Sequence, residues 1–588
     1  MPGQAFPRGG CGKACPALSV LRAEGSPTTS GRRCSMVYLH GYMRALNSSI
    51  SSHWWSRLAQ RWKLLLSGFG VLVGLAFLLA YLSNRFQNVE GWDNFLIALG
   101  VAALLLWGGW RVLGRQSPPR WLFGLLVGAA LLRLALGALW FVLLPQVGFD
   151  SPAERGGYVM ADAYNRDRAA WRAANSDRPL VKLITGRVYR KVDQYGGLLF
   201  LSAAYYRILD GNAHRPLLMI VLTAAFSALA VIFIWGMGKI AFGERVANLA
   251  AWLMALYPEA VLLGSSQMRE AFLIPLVALS LYGLLRWQRE GGWRGAGLCA
   301  LGLLMTYPFS PPSSALLLFG LVCILLISRD GGLYRQKKIW LAVGLLIVMI
   351  AIGIWFSWGR FAPDKYNNPL SLAGWWFKVS AGLQVRTSIL DSGWMQKVAR
   401  PLPQWARFTL LTLYGVSRPL LPAALIAPSA RPFWQAIAIW RAVGWTILLP
   451  FLLAAPLLAM RRSSGIEPSE RRLVLALSLA VWVGILVASM RGGADLWDNP
   501  RYRAMLAAPQ VLLVVWAWVC YRQRQETWIK HLAIGLGLIL LWFVPWYLRR
   551  YTAFFWPISD FFLTLGLGLA SAILYAGVVW WMKQRRKF

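Results

Sequence analysis

Apolar runs long enough to cross a bilayer recur along nearly the whole 588-residue chain, and this feature restricts the fold before any motif is read. A helix needs roughly 17–25 predominantly apolar residues to span the hydrocarbon layer. About fourteen such runs can be marked. They lie near 65–83, 95–113, 121–145, 216–236, 246–264, 270–287, 294–309, 313–328, 338–358, 435–459, 472–490, 504–521, 530–547 and 558–582. In hydrocarbon each backbone N–H and C=O must be satisfied within its own segment, so runs of this length are expected to be helices. The predicted fold is an all-α polytopic membrane protein. Charged residues make up only 14% of the chain, against ~25% in a soluble domain, too few to cover a water-facing surface. A soluble enzyme, a disordered chain and a one-helix receptor are excluded.

The net charge is +38. In a soluble domain such an excess would suggest nucleic acid. Here short basic loops explain it by orienting the spans, and no nucleic-acid partner is expected. Those loops include Arg111, Arg115 and Arg120; Lys239 and Arg245; Arg286, Arg289 and Arg294; and Arg461, Arg462, Arg471 and Arg472. Placing them in the cytoplasm puts both termini there, as an even number of spans requires. Two loops on the opposite side are long, about 147–215 and 359–434. The expected location is the cell membrane, multi-pass, with the lipid bilayer as partner. The chain divides into a polar tail of disordered composition (1–60), two additional spans (61–120), a core (121–360), a loop (361–434) and C-terminal spans (435–588). Within 361–434, FTLLTLYGVSRPLLPAALIA (408–427) is nearly long enough to span. Three prolines and Arg418 interrupt its second half, so it is taken as re-entrant or interfacial.

Polar residues are concentrated in the long and short loops of one side. The 147–215 loop holds a helical stretch around Tyr158–Ala174, with Tyr158, Asp162, Arg166 and Asp167 near i, i+4 spacing. It also holds an apolar stretch, Gly197–Leu209, expected to be a short interfacial helix. Glu259 sits in an apolar run, where an ionisable residue is costly and a functional candidate. Arg269 and Glu270 follow at the next turn, and Arg501 and Arg503 lie in RGGADLWDNPRYRAMLAAP. Arginine forks suit phosphate, and an Asp can serve as general base. No sequence fits the phosphate loop GxxxxGK[ST], so ATP hydrolysis is unsupported. Four scattered histidines make no zinc site.

This pattern resembles the GT-C superfamily of integral-membrane glycosyltransferases, which contains protein O-mannosyltransferases and lipid A aminoarabinose transferases. The likeness rests on Arg133 in a span leading to a long loop with an acidic residue, then on a short basic turn with Lys239, Phe242, Gly243, Arg245 and Ala247. Tyr257-Pro258 closes a span before a turn with a Glu, and Arg501-Tyr502 precedes a late span. It runs in order over 121–520, with distinctive residues only in 121–290. The resemblance implies a GT-C-like catalytic core at 121–360. It also implies transfer of a sugar from a polyprenyl-phosphate donor to a glycan, lipid or protein acceptor on the non-cytoplasmic face. By the same resemblance Asp162 is the first choice for the base and Asp150 the alternative. Arg269, Arg501 and Arg503 take the donor phosphate, and Glu270 orients the acceptor or an arginine. Tyr158, Arg166, Asp193, Gln194, Tyr195 and Glu259 line the sugar or acceptor pocket. No cofactor is expected; many members need no metal, and a divalent ion is left open. The competing readings are a glycan polymerase or ligase using polyprenyl-linked sugars, and a transporter or flippase for a lipid-linked substrate.

Overall fold

The computed structural model describes residues 66–209, 213–327, 368–390, 394–427, 431–461, 465–492 and 499–585, with isolated positions elsewhere. The tail 1–60 and most of the predicted span 338–358 lie outside the described residues, as do Asp495 and Asp498. Contacts divide the chain into residues 1–71 and a unit from Leu72 to Phe588, and the site lies in the second.

The described residues are helical, without a strand. Helices α1 (Trp92–Leu113) and α2 (Arg120–Val147) lead into the first long loop, which carries α3 (Ala161–Ala174) and α4 (Gly197–Leu209). Then follow α5 (Pro216–Phe242), α6 (Glu244–Leu256), α7 (Pro258–Gly264), α8 (Glu270–Glu290), α9 (Trp293–Phe309) and α10 (Pro311–Ile327). The second half contains α11 (Pro369–Leu390), α12 (Gln404–Ser417), α13 (Leu421–Ile426), α14 (Pro432–Met460) and α15 (Pro468–Gly492). A 3₁₀ turn over Asn499–Leu506 enters α16 (Ala507–Arg524), and α17 (Trp528–Tyr551) and α18 (Phe561–Arg585) complete the order.

Among the described residues ten helices are long and apolar enough to cross a membrane, or eleven if α6 and α7 form one bent span. All of them fall on predicted runs. The predicted count of fourteen is not confirmed at α9 and α10. Each has 17 residues, at the lower edge of the ~17–25 that cross the hydrocarbon layer. The 408–427 stretch is two helices, α12 and α13, broken around Arg418-Pro419, and neither half reaches spanning length.

The α6–α7 bend of 53° has a local cause. Pro258 has no N–H to donate to the carbonyl four residues back, Met254. Arg133, fully buried in α2, supplies donors at the gap: its guanidinium reaches the Met254 and Ala255 carbonyls at 3.3 Å each and the Ala129 carbonyl at 2.9 Å. The Trp140 indole N–H donates to Ser265 Oγ at 2.8 Å, about two turns further along the same face of α2. The turn that carries Arg269 and Glu270 is thereby tied to α2. Helix α5 has no amphipathic stripe and is buried on every side, as expected of a central helix. In contrast, α17 and α18 leave Leu541, Ile573 and Leu574 exposed.

Candidate active site

Helix α3 begins at Ala161 rather than near Tyr158 because the chain turns sharply before it. Gly157 has φ of +83°, and a Cβ there would lie 2.6 Å from the Phe141 Cα, so only glycine lets the loop press against α2. Asp162 then falls in the first turn of α3, where a carboxylate suits the helix dipole. Its Oδ2 accepts a hydrogen bond from the Arg501 guanidinium at 2.6 Å. Arg501 is almost fully buried in the 3₁₀ turn, while the Asp162 side chain is half exposed.

One helical turn on, buried Arg166 donates to the Gln267 carbonyl at 3.3 Å and stands 3.6 Å from the Asp193 carboxylate. Asp193 also accepts from the Tyr195 and Leu199 backbone N–H groups at 3.3 and 3.1 Å, which satisfies the start of α4. The Arg269 guanidinium lies over the Tyr195 ring, 5.2 Å from its centroid. Gln194, next to Asp193 and Tyr195 in the chain, is half-buried. Asp162, Arg166, Asp193, Tyr195, Arg269, Glu270 and Arg501 therefore form one charged cluster, drawn from four distant stretches of chain.

The cluster controls its own ionisation. Burial pushes the Asp162 carboxyl up, but the charges of Arg501, Arg166 and Arg269 outweigh it and hold the group below the ordinary carboxylate range. Asp193 is likewise pushed up by burial and held low overall by Arg166 and then Arg269. Arg269, despite burial, is raised by the nearby Asp193 and Glu270 carboxylates. Both aspartates are thus carboxylates near neutral pH.

A second network, missed in the site reading, sets the position of α3. The Asp167 carboxylate accepts from the Tyr158 hydroxyl at 2.5 Å and the Tyr206 hydroxyl at 2.8 Å, and lies 2.8 Å from His214 Nε2. Burial, then the Asp167 charge, raises the pKa of both phenols, so they remain donors. Arg207 adds a third tie, donating to the Ala173 and Ala174 carbonyls at 3.1 and 3.0 Å, where a cation suits the end of α3. The signal available in the sequence was an aspartate on the alanine-rich face of a helix, which needs donors once buried. Two of its partners, Tyr206 and His214, lie 39 and 47 residues away, beyond any local spacing.

Three predicted residues lie elsewhere. Asp150 is exposed and faces Arg155 at 3.4 Å. Glu259 is buried in a two-pronged pair with Arg441 of α14, both contacts 2.8 Å. Arg503 donates to the Gly415 and Val416 carbonyls at 3.2 Å, and to that of Arg418, with its guanidinium 3.4 Å from the Trp445 ring centroid. It anchors the end of α12, two residues from Arg501 and on a different task.

Two cavities flank the cluster. The larger, about 810 Å³, is walled by Glu154, Tyr158, Asp162, Trp394, Arg418 and Arg441, among others. The smaller, about 90 Å³, includes Tyr195, Arg269, Glu270, Trp376, Arg491 and Tyr502. Arg501 links the two walls, since its partner Asp162 lines the first and its chain neighbour Tyr502 the second. Among the described residues no group of three or more His, Cys, Asp or Glu is arranged to hold a metal ion.

Residues 199–358 match the family described as dolichyl-phosphate-mannose-protein mannosyltransferase. The match is to a glycosyltransferase family. It covers less than half the chain, begins in α4 and takes in the bent span and Arg269-Glu270, and so overlaps the distinctive segment of the GT-C resemblance. No curated protein matches the sequence. The structure is similar to the Archaeoglobus fulgidus oligosaccharyltransferase AglB solved with an inhibitory peptide and a dolichol-phosphate, at 15% identity and a TM-score of 0.33. That alignment covers 77% of this chain and 56% of the archaeal one. The same enzyme tethered to an acceptor peptide gives 14% identity, 78% and 54% coverage and a TM-score of 0.39. ArnT from Cupriavidus metallidurans in the apo state gives 15% identity, 76% and 84% coverage and a TM-score of 0.28. The chain spans just over half the length of the archaeal structures.

Proposed function

We propose that this protein is a membrane glycosyltransferase that moves a sugar from a polyprenyl-phosphate donor to a hydroxyl-bearing acceptor at the non-cytoplasmic face. The observation that carries the reading is the 2.6 Å pair of Asp162 with Arg501, set among further arginines beside a cavity of about 810 Å³. The mannosyltransferase-family match over residues 199–358 supports it. Asp162 accepts the proton of the acceptor hydroxyl, and the acceptor oxygen forms its bond to the anomeric carbon. The bond from that carbon to the phosphate oxygen breaks, and the electron pair leaves with the phosphate. Arg269 and Arg501 offset the charge that develops there. A single base of this kind implies inversion. The phosphate is the leaving group, so no ATP is consumed and the scheme uses no metal. Arg501 serves two anions in turn: Asp162 before the donor enters, and the donor phosphate afterwards.

Purified protein in lipid nanodiscs is expected to transfer label from a polyprenyl-phosphate-linked sugar and not from the corresponding nucleotide sugar. Transfer from the nucleotide sugar alone would defeat the reading. In intact cells a cysteine introduced at Ser151 is expected to react with an impermeant thiol reagent, and one at Ser463 to remain unlabelled. The opposite pattern would put the loop on the wrong side for this chemistry.

A further inference from the structure

Two buried polar atoms of opposite character lack hydrogen-bond partners among the described residues and belong to side chains that line the same cavity: Glu270 Oε2 and Trp376 Nε1. Glu270 is 7% exposed. Native proteins seldom leave such groups unsatisfied, and an acceptor and a donor left open at one cavity point to an absent ligand that supplies both. A hydroxyl group both donates and accepts, so a polyhydroxylated molecule meets the requirement where a phosphate, which only accepts, does not.

The remaining wall agrees with that class. Tyr195, Tyr502 and Trp376 present aromatic rings, and the Arg491 guanidinium is stacked on two of them, 5.8 Å from the Trp376 ring and 5.4 Å from Tyr502. Arg269, assigned above to the phosphate, lies on the third. The cavity of about 90 Å³ has room for about six to nine water-sized groups at ~10–15 Å³ each. That suits one sugar ring and is too small for a polyprenyl chain.

We infer that this small cavity is the subsite that reads the transferred sugar, a single polyhydroxylated ring, with Glu270 accepting from one of its hydroxyls and Trp376 donating to another. The inference rests on the glycosyltransferase reading and assigns Glu270 to sugar selection instead of proton transfer. The acceptor then enters from the larger cavity, on the Asp162 side.

The test separates the sugar from its lipid. Binding of sugar-free polyprenyl phosphate, and of a panel of polyprenyl-phosphate-linked neutral hexoses and pentoses, is measured for the full-length protein in nanodiscs. The variants are Glu270→Gln and Trp376→Phe, both close in shape to the native side chains. At least one glycoside is expected to bind wild type more tightly than the sugar-free lipid. Each variant is expected to lose about 10- to 100-fold of that advantage. Trp376→Phe is expected to keep its affinity for the sugar-free lipid within twofold, and Glu270→Gln, which removes a carboxylate beside Arg269, to bind that lipid no more weakly than wild type. The sugar-free lipid thereby reports that the variant is folded. Unchanged preference in both variants would overturn the subsite assignment, as would equal weakening of lipid and glycoside. If wild type binds neither sugar-free lipid nor any glycoside, the glycosyltransferase reading fails first and the subsite with it.

Discussion

Replacing Asp162 by Asn tests the proposed chemistry most directly, because it removes a proton acceptor while nearly keeping the shape. Loss of a general base is expected to lower the single-turnover transfer rate by ~10²–10⁴. The cost in stability is smaller. Arg501 is buried but Asp162 is half exposed, so breaking the pair falls between the ~0–1 kcal/mol of a surface pair and the 3–5 of a buried one. We expect about 1–2 kcal/mol, low enough for normal membrane insertion. The pH profile gives a sharper readout. In the free protein the arginines hold Asp162 below the ordinary carboxylate range, so the carboxylate is present at neutral pH and is lost only as pH falls through that depressed value. Donor phosphate adds a negative charge nearby and takes a share of Arg501, and both effects disfavour the ionised carboxyl. Its pKa must then rise in the complex. Since kcat/KM reports the free enzyme and kcat the complex, the acid limb of kcat is expected at higher pH than that of kcat/KM. Both limbs should vanish in Asp162→Asn. A variant with full rate would remove Asp162 as the base, and if Asp150→Asn were then inactive the role would pass to Asp150. Coincident limbs in the wild-type protein would refute the handover of Arg501 even if Asp162 proved essential.

Three further outcomes follow from particular contacts. Arg269→Lys and Arg501→Lys keep charge but lose the planar fork, and each is expected to weaken donor binding severalfold or more with normal protein yield. Arg503→Lys is expected instead to lower folded yield in size-exclusion profiles, since it loses forked contacts to the Gly415, Val416 and Arg418 carbonyls. Arg133→Met removes the donors that satisfy Met254 and Ala255, at about 1–3 kcal/mol for each carbonyl left unmet. It should reduce thermal stability and donor binding together, and a variant as stable as wild type would refute the role given to the bend.

What was legible in the sequence was what depends on local pattern. The ten observed spans fall on the marked apolar runs because length and hydropathy are properties of contiguous residues. The bounds of α4 were also legible, since an apolar stretch framed by Gly197 and Leu209 between polar segments has few alternatives. The count is unconfirmed where the apolar run is marginal, at α9 and α10. Pairings across the chain were not legible. Arg501 and Arg503 sit two apart in one arginine-rich motif, and nothing in their spacing separates a ligand of Asp162 from an anchor for α12. The same holds for Glu259, an ionisable residue in an apolar run, whose partner Arg441 lies 182 positions downstream.

The division of labour between those two arginines explains how so diffuse a set of residues is held in register. A 3₁₀ turn advances about 120° per residue, so Arg501 and Arg503 leave the Asn499–Leu506 turn in different directions. One reaches α3, 339 positions earlier, and the other reaches α12, 85–88 positions earlier. Helix α12 ends at Arg418, which with Tyr414 walls the large cavity, and α3 carries Asp162 into the same wall. The turn therefore ties two walls of that cavity to each other and, through Tyr502, to the small cavity as well. If donor phosphate draws Arg501 from Asp162, α3 is still held by the Asp167 network and by Arg207. The carboxylate is then released without loss of the helix that positions it. A base must be both available and fixed, and in the proposed scheme different groups supply the two conditions: Arg501 governs availability, and Asp167 with Tyr158, Tyr206 and His214 governs position.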